Sequence, residues 1–353
     1  MSETKYKVAV LYQADLPPVK DGIAKPMKDG GYADSGADIA FTLREKGIEV
    51  ILPVPEPDIQ TDLDWVFPDT EEGIAKAVSL GADTLWLNTV LYAGHPIENL
   101  KAQDIFAVGQ EPGMADHYDD KVLTNKILAD KGLPVPRSVL VNEKDLDGLD
   151  VKLNFPLMIK PIRGRGSQGV CLIEDLQNLT KKLKEIFSAK TYGIALYLEE
   201  YLSGEELTVT VMPPGNYVVE ELKLQYEYFW ALPAVRRFNH ENGVAPYSGQ
   251  VAIINNSEVL TVEEEVKPAM KTLYEMCQHA AELVGAKAPI RIDCRADENG
   301  NYFLFDLNMK PNMTGASRPH REDQDSLTAL SARRINWDFG DLLLAMLAQR
   351  WRI

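Results

Sequence analysis

Cysteine is scarce: Cys171, Cys277 and Cys294 are the only three in 353 residues, far apart and without a C-x-x-C pair. That excludes a disulfide scaffold and a cysteine-type zinc site, and it fits reduced thiols in a cytoplasm. Positive charge is also short, with 37 basic against 53 acidic residues for a net charge of −16. A nucleic-acid partner is therefore not expected, because phosphate binding needs a basic face. No run of 18 or more apolar residues occurs, and the opening "MSETKYKVAVLYQ" lacks the apolar core of a leader and reads as a first strand. Neither a membrane span nor a leader is expected. The five histidines (His95, His117, His240, His279, His320) lack metal-ligand spacing and read as ordinary surface or loop residues.

What is present is an alternation of strands and helices. "YKVAVLY", "IEVILP" and "ADTLWLN" read as buried strands. Between them lie "SGADIAFTLREKG", a helix with Ser35 as N-cap and Gly47 past its end, and "DTEEGIAKAVSLG", with an Asp-x-x-Glu capping signature. That order predicts a parallel sheet covered on both faces. A Gly/Pro/Lys-rich connection from Asp15 to Asp34 hangs off the carboxyl end of the first strand, where open α/β sheets bind ligands. Further on come the helix "YDDKVLTNKILADKG", strands around "FPLMIK", "GVCLI" and "GIALYLEEY", and the helix "DLQNLTKKLKEIF". A third unit holds "EELTVTVMPP", a polar and aromatic loop over about 226–249, one long helix "VEEEVKPAMKTLYEMCQHAAELVG", and the final helix "DFGDLLLAMLAQRW".

Two stretches carry chemistry. In "RIDCRADENGNYFLFDLNMKPN", Asn299-Gly300 predicts a two-residue hairpin turn that sets Asp293 opposite Asp306 and Arg291 opposite Asn308. Ile292, Cys294 and Ala296, with Phe303, Phe305 and Leu307, then face the core. Two carboxylates ~5 Å apart at an effective dielectric of ~20 repel by roughly 3 kcal/mol, so something must compensate. A hard cation such as Mg²⁺, held by Asp293, Asp306 and Asn308, is one solution. Neutralisation by Arg291 and Arg295 on the same face is the other. In "FPLMIKPIRGRGSQGV", Lys160 ends a strand and the glycines Gly164, Gly166 and Gly169 follow it, so the stretch is neither a Walker A loop nor a dinucleotide fingerprint. It reads as a hairpin whose tip folds over phosphates above a fixed lysine. "LYLEEYLSGEELTV" reads either as a solvated acidic loop or as a hinge offering carboxylates and backbone amides to a base.

Taken in order, Lys121 in the linking helix, "MIKP" with its glycine loop, "EEYLSGEE" and "RID…FDLN" resemble the ATP-grasp superfamily, and within it the D-alanine–D-alanine ligases. The resemblance covers nearly the whole chain, most clearly 115–320. It implies a three-domain architecture: an N-terminal parallel α/β domain (1–117), and nucleotide held between two α+β domains (118–203 and 204–353). It further implies that Lys121 and Lys160 contact ATP phosphates under a loop carrying Ser167 and Gly169. Adenine would lie against Glu199, Glu200 and Leu202, and ribose near Glu206. One or two Mg²⁺ (or Mn²⁺) would sit on Asp293, Asp306 and Asn308, with Arg291 at the oxyanion and Asn312 and Ser317 at the substrates. Arg236 and Arg237 are expected to close with the 226–249 loop over the γ-phosphate.

The departures carry their own expectation. Asp306 stands where these ligases usually have Glu, and Asn312 stands in place of Gly. An N-terminal glutamate that receives the D-alanine ammonium has no evident counterpart, Lys28 being the nearest charged residue, and the histidine-glycine stretch has become "LNTVLYAGHP". An ATP-dependent carbon–nitrogen ligase joining an amino acid to an acceptor other than D-alanine is thus expected, acting on small molecules as a cytoplasmic homodimer. Alternatives are a ligase of the kind that builds mycosporine-like amino acids, a small-molecule kinase, and a non-catalytic ATP-binding protein.

Overall fold

The computed structural model describes residues 6–20, 22–23, 25–101, 103–164, 167–219, 222–246 and 252–353. At its N-terminal end Lys7–Tyr12 is an interior strand, parallel to Glu49–Val50, Phe67–Pro68 and Thr84–Asn88; Phe106–Val108 extends the sheet in parallel and Trp351–Arg352 closes its edge antiparallel. Period-two alternation explains why this sheet is covered twice. Val8 and Val10 pack with helices Ala33–Glu45 and Phe339–Ala348, whereas Ala9 and Leu11 pack with Ile74 and Ala77 of helix Glu71–Ser79. The α/β expectation therefore holds, with the last helix and last strand of the chain recruited into the N-terminal layer.

A four-stranded antiparallel sheet follows, ordered Ser138–Asn142, Ala195–Glu200, Leu157–Pro161, Cys171–Ile173. Helix Leu176–Ala189 covers one face, and the two bury a core of their own around Leu157, Ile159, Leu179, Leu183, Phe187 and Leu198. The third sheet is antiparallel around Glu206–Met212, flanked by Ile290–Ala296 and Val235–Arg237. Its back packs on helix Pro268–Leu283 through Leu273, Cys277, Ile292 and Cys294. All three cysteines are free thiols, and the Cys277 and Cys294 sulfurs lie 3.7 Å apart in that core. Among the described residues no helix is long and apolar enough to cross a membrane.

Several local expectations are corrected. Tyr32, not Ser35, is the N-cap of Ala33–Glu45; it is left-handed (φ 67°), and Ser35 instead donates its hydroxyl to the Tyr32 carbonyl. Thr70, not Asp69, caps Glu71–Ser79 by accepting from the Gly73 N–H, because Asp69 is buried and taken by the Ala14 N–H, Thr89 and His95. The expected long helix breaks into Val262–Glu265 and Pro268–Leu283, since Pro268 has no N–H to continue the ladder. The 226–249 loop contains two short strands, Trp230–Ala231 and Val235–Arg237. Residues 247–251 lie outside the described residues, as does Gly166 of the glycine loop.

The carboxylate hairpin is the most instructive case. Its turn is not two residues: the Asp297 N–H bonds the Asn301 carbonyl, the Gly300 N–H bonds the Asp297 carbonyl, and Gly300 has φ 81°, the pattern of a three-residue loop. That alone would shift the register by one. A bulge between Asp293 and Cys294 adds Phe305 as an extra residue and restores it, so Asp293 faces Asp306 and Arg291 faces Asn308 as predicted. The bulge also reverses the alternation beyond it. Leu304 takes the core position, and Phe303 and Phe305 do not.

Candidate active site

One large cleft, with a volume of about 800 Å³, runs between the four-stranded sheet and the carboxylate hairpin and reaches the 25–34 segment of the N-terminal unit. Its size is at the upper end of what single ligands occupy, enough for a nucleotide with a second small molecule. Strand Leu157–Pro161 sends Leu157 and Ile159 into its own core and turns Met158 and Lys160 into the cleft. Lys160 there pairs with buried Glu199 on the neighbouring strand, and its Nζ lies 4.7 Å from the centre of the Phe305 ring. The second Glu199 oxygen, Oε2, is buried with no hydrogen-bond partner. Burial pushes the Glu199 carboxyl above the usual carboxylate range in spite of Lys160. Beside it Tyr197 joins Asn125 and Ser138 in hydrogen bonds of 2.8 Å, and burial raises its phenol to about 12.

The opposed carboxylates are neutralised one by one. Arg291 forks onto Asp293 with two bonds of 3.1 Å, Thr208 donates to the same carboxylate at 2.8 Å, and Asn308 donates to it at 3.3 Å. Asp306 pairs with Lys121, which arrives from helix Lys121–Asp130. Burial opposes the charge on both, and the pairing overrides it: Asp306 lies below and Lys121 above its ordinary value. Arg295 does not share in this. It donates to the Gly204 and Gly243 carbonyls and the Tyr201 hydroxyl, and stands 3.6 Å from Glu206. Glu206 also receives His240 at 2.8 Å, which with Arg295 and Arg237 depresses its carboxyl against the opposing effect of burial.

Most of the predicted residues converge on this cleft: Lys28, Lys121, Lys160, Ser167, Glu199, Leu202, Glu206, Arg237, Arg291, Asp293, Asp306, Asn308 and Asn312 line it. Four others behave differently. Arg236 turns away, because neighbours on strand Val235–Arg237 point to opposite faces, and it binds Glu205, Glu258 and Glu264 at 2.5–2.8 Å. Ser317 donates to Asp38 at 2.7 Å inside a buried network with Arg318 and Arg321. Gly169 is not in the cleft wall; at φ 75° it makes room for the Tyr192 ring, which a Cβ would meet at 2.6 Å. Glu200 reaches the rim, but its carboxylate is held by Arg137 at 3.0 Å and the Asn154 N–H at 2.8 Å.

Residues missed from the sequence include Lys25, Tyr32, Phe305 and Lys310, all in the cleft wall. His240, an ordinary loop residue by its sequence context, holds Glu206, and His95 is fully buried against Asp69. No spacing signalled either histidine. Lys310 sat inside the "MKPN" stretch and was the one legible omission.

Among the described residues no group of three or more His, Cys, Asp and Glu side chains is placed to hold a metal. Two carboxylates and one amide are nonetheless the donor set that suits Mg²⁺ carried mainly by phosphates. Asn308 directs its amide nitrogen to Asp293, which leaves its oxygen as the acceptor.

The family model for the D-ala D-ala ligase C-terminus matches residues 127–326, 200 of the 353. A D-alanine–D-alanine ligase of Acinetobacter baumannii is 26% identical over 242 residues, 65% of this chain and 66% of the relative. One from Ectopseudomonas mendocina is 27% identical over 235 residues, 65% of this chain and 64% of the relative. The matched stretch is thus just short of two thirds of these relatives. Among solved structures, a Bacillus anthracis D-alanine–D-alanine ligase complexed with ATP has a TM-score of 0.65 at 16% identity, covering 98% of this chain and 96% of that one. The VanG D-Ala:D-Ser ligase of Enterococcus faecalis also has a TM-score of 0.65, at 14% identity and 98% and 99% coverage. The chain has the ATP-grasp fold and belongs to the D-ala D-ala ligase family.

Proposed function

We propose that the protein is an ATP-dependent ligase that joins the amine of an amino acid to the carboxylate of an acceptor, with release of ADP and phosphate. Within this reading, 1–117 supplies the acceptor end, and 118–203 and 204–353 hold the nucleotide between them. The observation that carries it is the meeting in one cleft of Lys121 and Lys160 with Asp293, Asp306, Asn308 and Arg291, Lys121 pairing with Asp306 across 185 residues of chain.

The orphaned Glu199 oxygen suits a donor such as the exocyclic amine of adenine, which would relieve a buried unpaired acceptor. Lys121 and Lys160 neutralise the phosphates, and Ser167 lies in the loop above them. Asp293, Asp306 and Asn308 would hold Mg²⁺, whose chemistry when bound is to offset charge on the transferring phosphoryl group. The acceptor carboxylate attacks the γ-phosphorus and ADP leaves. The amine lone pair then attacks the acyl phosphate carbon, Arg291 stabilises the tetrahedral oxyanion, and phosphate departs as the amine loses its proton.

Arg237, buried and lowered in pKa by that burial, faces the same space and helps hold the γ-phosphate while water is excluded. The test is ADP release with Mg²⁺ across acids crossed with amino acids, followed by mass measurement of the product. An amide supports the ligase, a phosphoester formed without amine would make it a kinase, and nucleotide binding without turnover on any pair would end the proposal. An acceptor other than D-alanine is part of it, since the 25–34 segment at that end of the cleft holds no glutamate to receive an ammonium group.

A further inference from the structure

The turn that follows strand Val235–Arg237 closes one end of the cleft. Its backbone reverses at residues that tolerate positive φ, Asn239 (54°), Asn242 (50°) and Gly243 (77°). Glu241 and Val244 exchange both backbone bonds, at 2.9 and 3.0 Å, so Asn242-Gly243 is a two-residue type I′ turn. Asn239 anchors the approach by donating to the Asn255 carbonyl at 2.9 Å. The tip reaches the four-stranded sheet, where a Cβ on Gly243 would meet the Tyr201 ring at 3.1 Å and Leu172 at 3.2 Å. Glycine is what allows so close an approach.

Arg295 fastens this tip to the connector between strands Ala195–Glu200 and Glu206–Met212. It donates to the Gly243 carbonyl at 2.8 Å, the Gly204 carbonyl at 3.3 Å and the Tyr201 hydroxyl at 2.9 Å, with its guanidinium 4.6 Å from the centre of the Tyr201 ring. The fastened turn delivers His240 to Glu206, which is buried and lines the cleft with Gly243, Val244 and Ala245. His240 Nε2 at 2.8 Å and Arg295 Nη1 at 3.6 Å approach the same Glu206 oxygen, Oε2. Holding one oxygen of a carboxylate fixes where the other points, and both accept hydrogen bonds. Arg295 and Arg237 flank Glu206 at the same level on the two neighbouring strands. A carboxylate released by His240 therefore has a cation to turn to on either side.

We propose that His240 and Arg295 are positioning residues for the nucleotide sugar: they aim Glu206 so that Oε1 accepts from a ribose hydroxyl, which makes the site selective for ribonucleotides. The inference rests on the nucleotide placement of the ligase reading, in which ribose lies near Glu206. Both residues act through Glu206 rather than on the reacting atoms.

The experiment is calorimetry on the full chain with Mg²⁺, titrating ATP, 2′-deoxy-ATP and 3′-deoxy-ATP. ATP is expected to bind about tenfold or more tightly than at least one deoxy analogue, the size of one hydrogen bond to a charged group. His240→Ala should cut that ratio to about threefold or less by weakening ATP alone, with the affinity for the deoxy analogue kept within about twofold. His240→Gln, which keeps a donor, should restore most of it. Arg295→Met should act in the same direction; because it strips the Gly204 and Gly243 carbonyls of a donor, its folding is checked by thermal melting, and His240→Ala decides the matter if that variant unfolds. On a Glu206→Gln background, His240→Ala should change the ratio no further. Equal binding of ATP and both analogues by the parent protein, a ratio untouched by His240→Ala, or a loss shared equally by ATP and its analogues overturns the proposal with the ligase reading intact. Failure of ATP itself to bind with Mg²⁺ removes the ligase reading, and the sugar selectivity with it.

Discussion

Arg236 and Arg237 are neighbours in sequence and look interchangeable, but the structure turns them to opposite faces of one strand, so their alanine variants should separate cleanly. Arg236 makes three ion pairs, at 2.6 Å to Glu205, 2.8 Å to Glu258 and 2.5 Å to Glu264, and is about a quarter exposed. Exposed pairs contribute about 0.2–1 kcal/mol each, and three sharing one guanidinium are not additive, so the loss in Arg236→Ala is about 1–2 kcal/mol. With an unfolding entropy of about 2.1 cal/mol/K per residue, 353 residues have about 0.7 kcal/mol/K, and the melting temperature falls by about 1–3 °C. Salt should shrink that difference, because the same screening weakens the pairs in the parent protein. The rate of ADP release should stay within about twofold, since the side chain faces away from the cleft.

Arg237→Ala is the mirror image. Its Nη2 donates to the Pro246 carbonyl at 2.8 Å, but Asn256 donates to that same oxygen at 2.7 Å, so the truncation leaves no buried acceptor unpaired. Stability should change little, and turnover should fall by about 10²-fold with a smaller change in ATP affinity, as expected for a donor that acts on developing charge. Differential scanning calorimetry at low and high salt, beside ADP release for both variants, reads all four quantities. A large loss of turnover in Arg236→Ala at unchanged melting temperature, or full turnover in Arg237→Ala, would refute the assignment of the two faces.

Three further outcomes are expected. Asp306→Ala should abolish ADP release in a protein with an unchanged circular dichroism spectrum, and lower the melting temperature measurably, because Lys121 loses the carboxylate that holds it; turnover that still rises with Mg²⁺ would reject the metal role of this hairpin. Gly169→Ala combines a left-handed backbone with a Cβ 2.6–2.7 Å from the Tyr192 ring and should cost about 2–4 kcal/mol by urea denaturation, more than Gly47→Ala, where φ is 81° and nothing lies within 4 Å. Glu206 has a carboxyl depressed below 4.5, so its contribution to stability is complete above that pH and is lost as pH falls through the lower, folded-state value. Glu206→Gln should therefore flatten the acid limb of the stability profile below about pH 4.5, while an unchanged limb would mean that the His240 and Arg295 contacts do not persist in solution.

How the sequence could anticipate Asp293 facing Asp306, and for a partly mistaken reason, shows where its information lies. The Asn299-Gly300 signal located a reversal, and the two acids sit at equal distances from it, so any tight turn brings them near each other. That the loop has three residues and that Phe305 bulges to compensate depends on the core accepting Leu304, a matter of packing across the sheet. Lys160 was legible because a lone lysine in an apolar alternating strand can only be turned toward a polar cavity. Arg236 and Arg237 were not, since a segment read as loop has no period, and only the pairing of Val235–Arg237 with Glu206–Met212 divides them between faces.

By itself the sequence determined the class of fold and set Asp293 opposite Asp306, because strand and helix periods and turn signals are local properties of the chain. Tertiary structure alone decided which cation answers each carboxylate. Those pairs join positions as far apart as Lys121 and Asp306, or Arg318 and Asp38, and charge at such separations carries no periodic signal until folding brings the partners together in a low-dielectric interior.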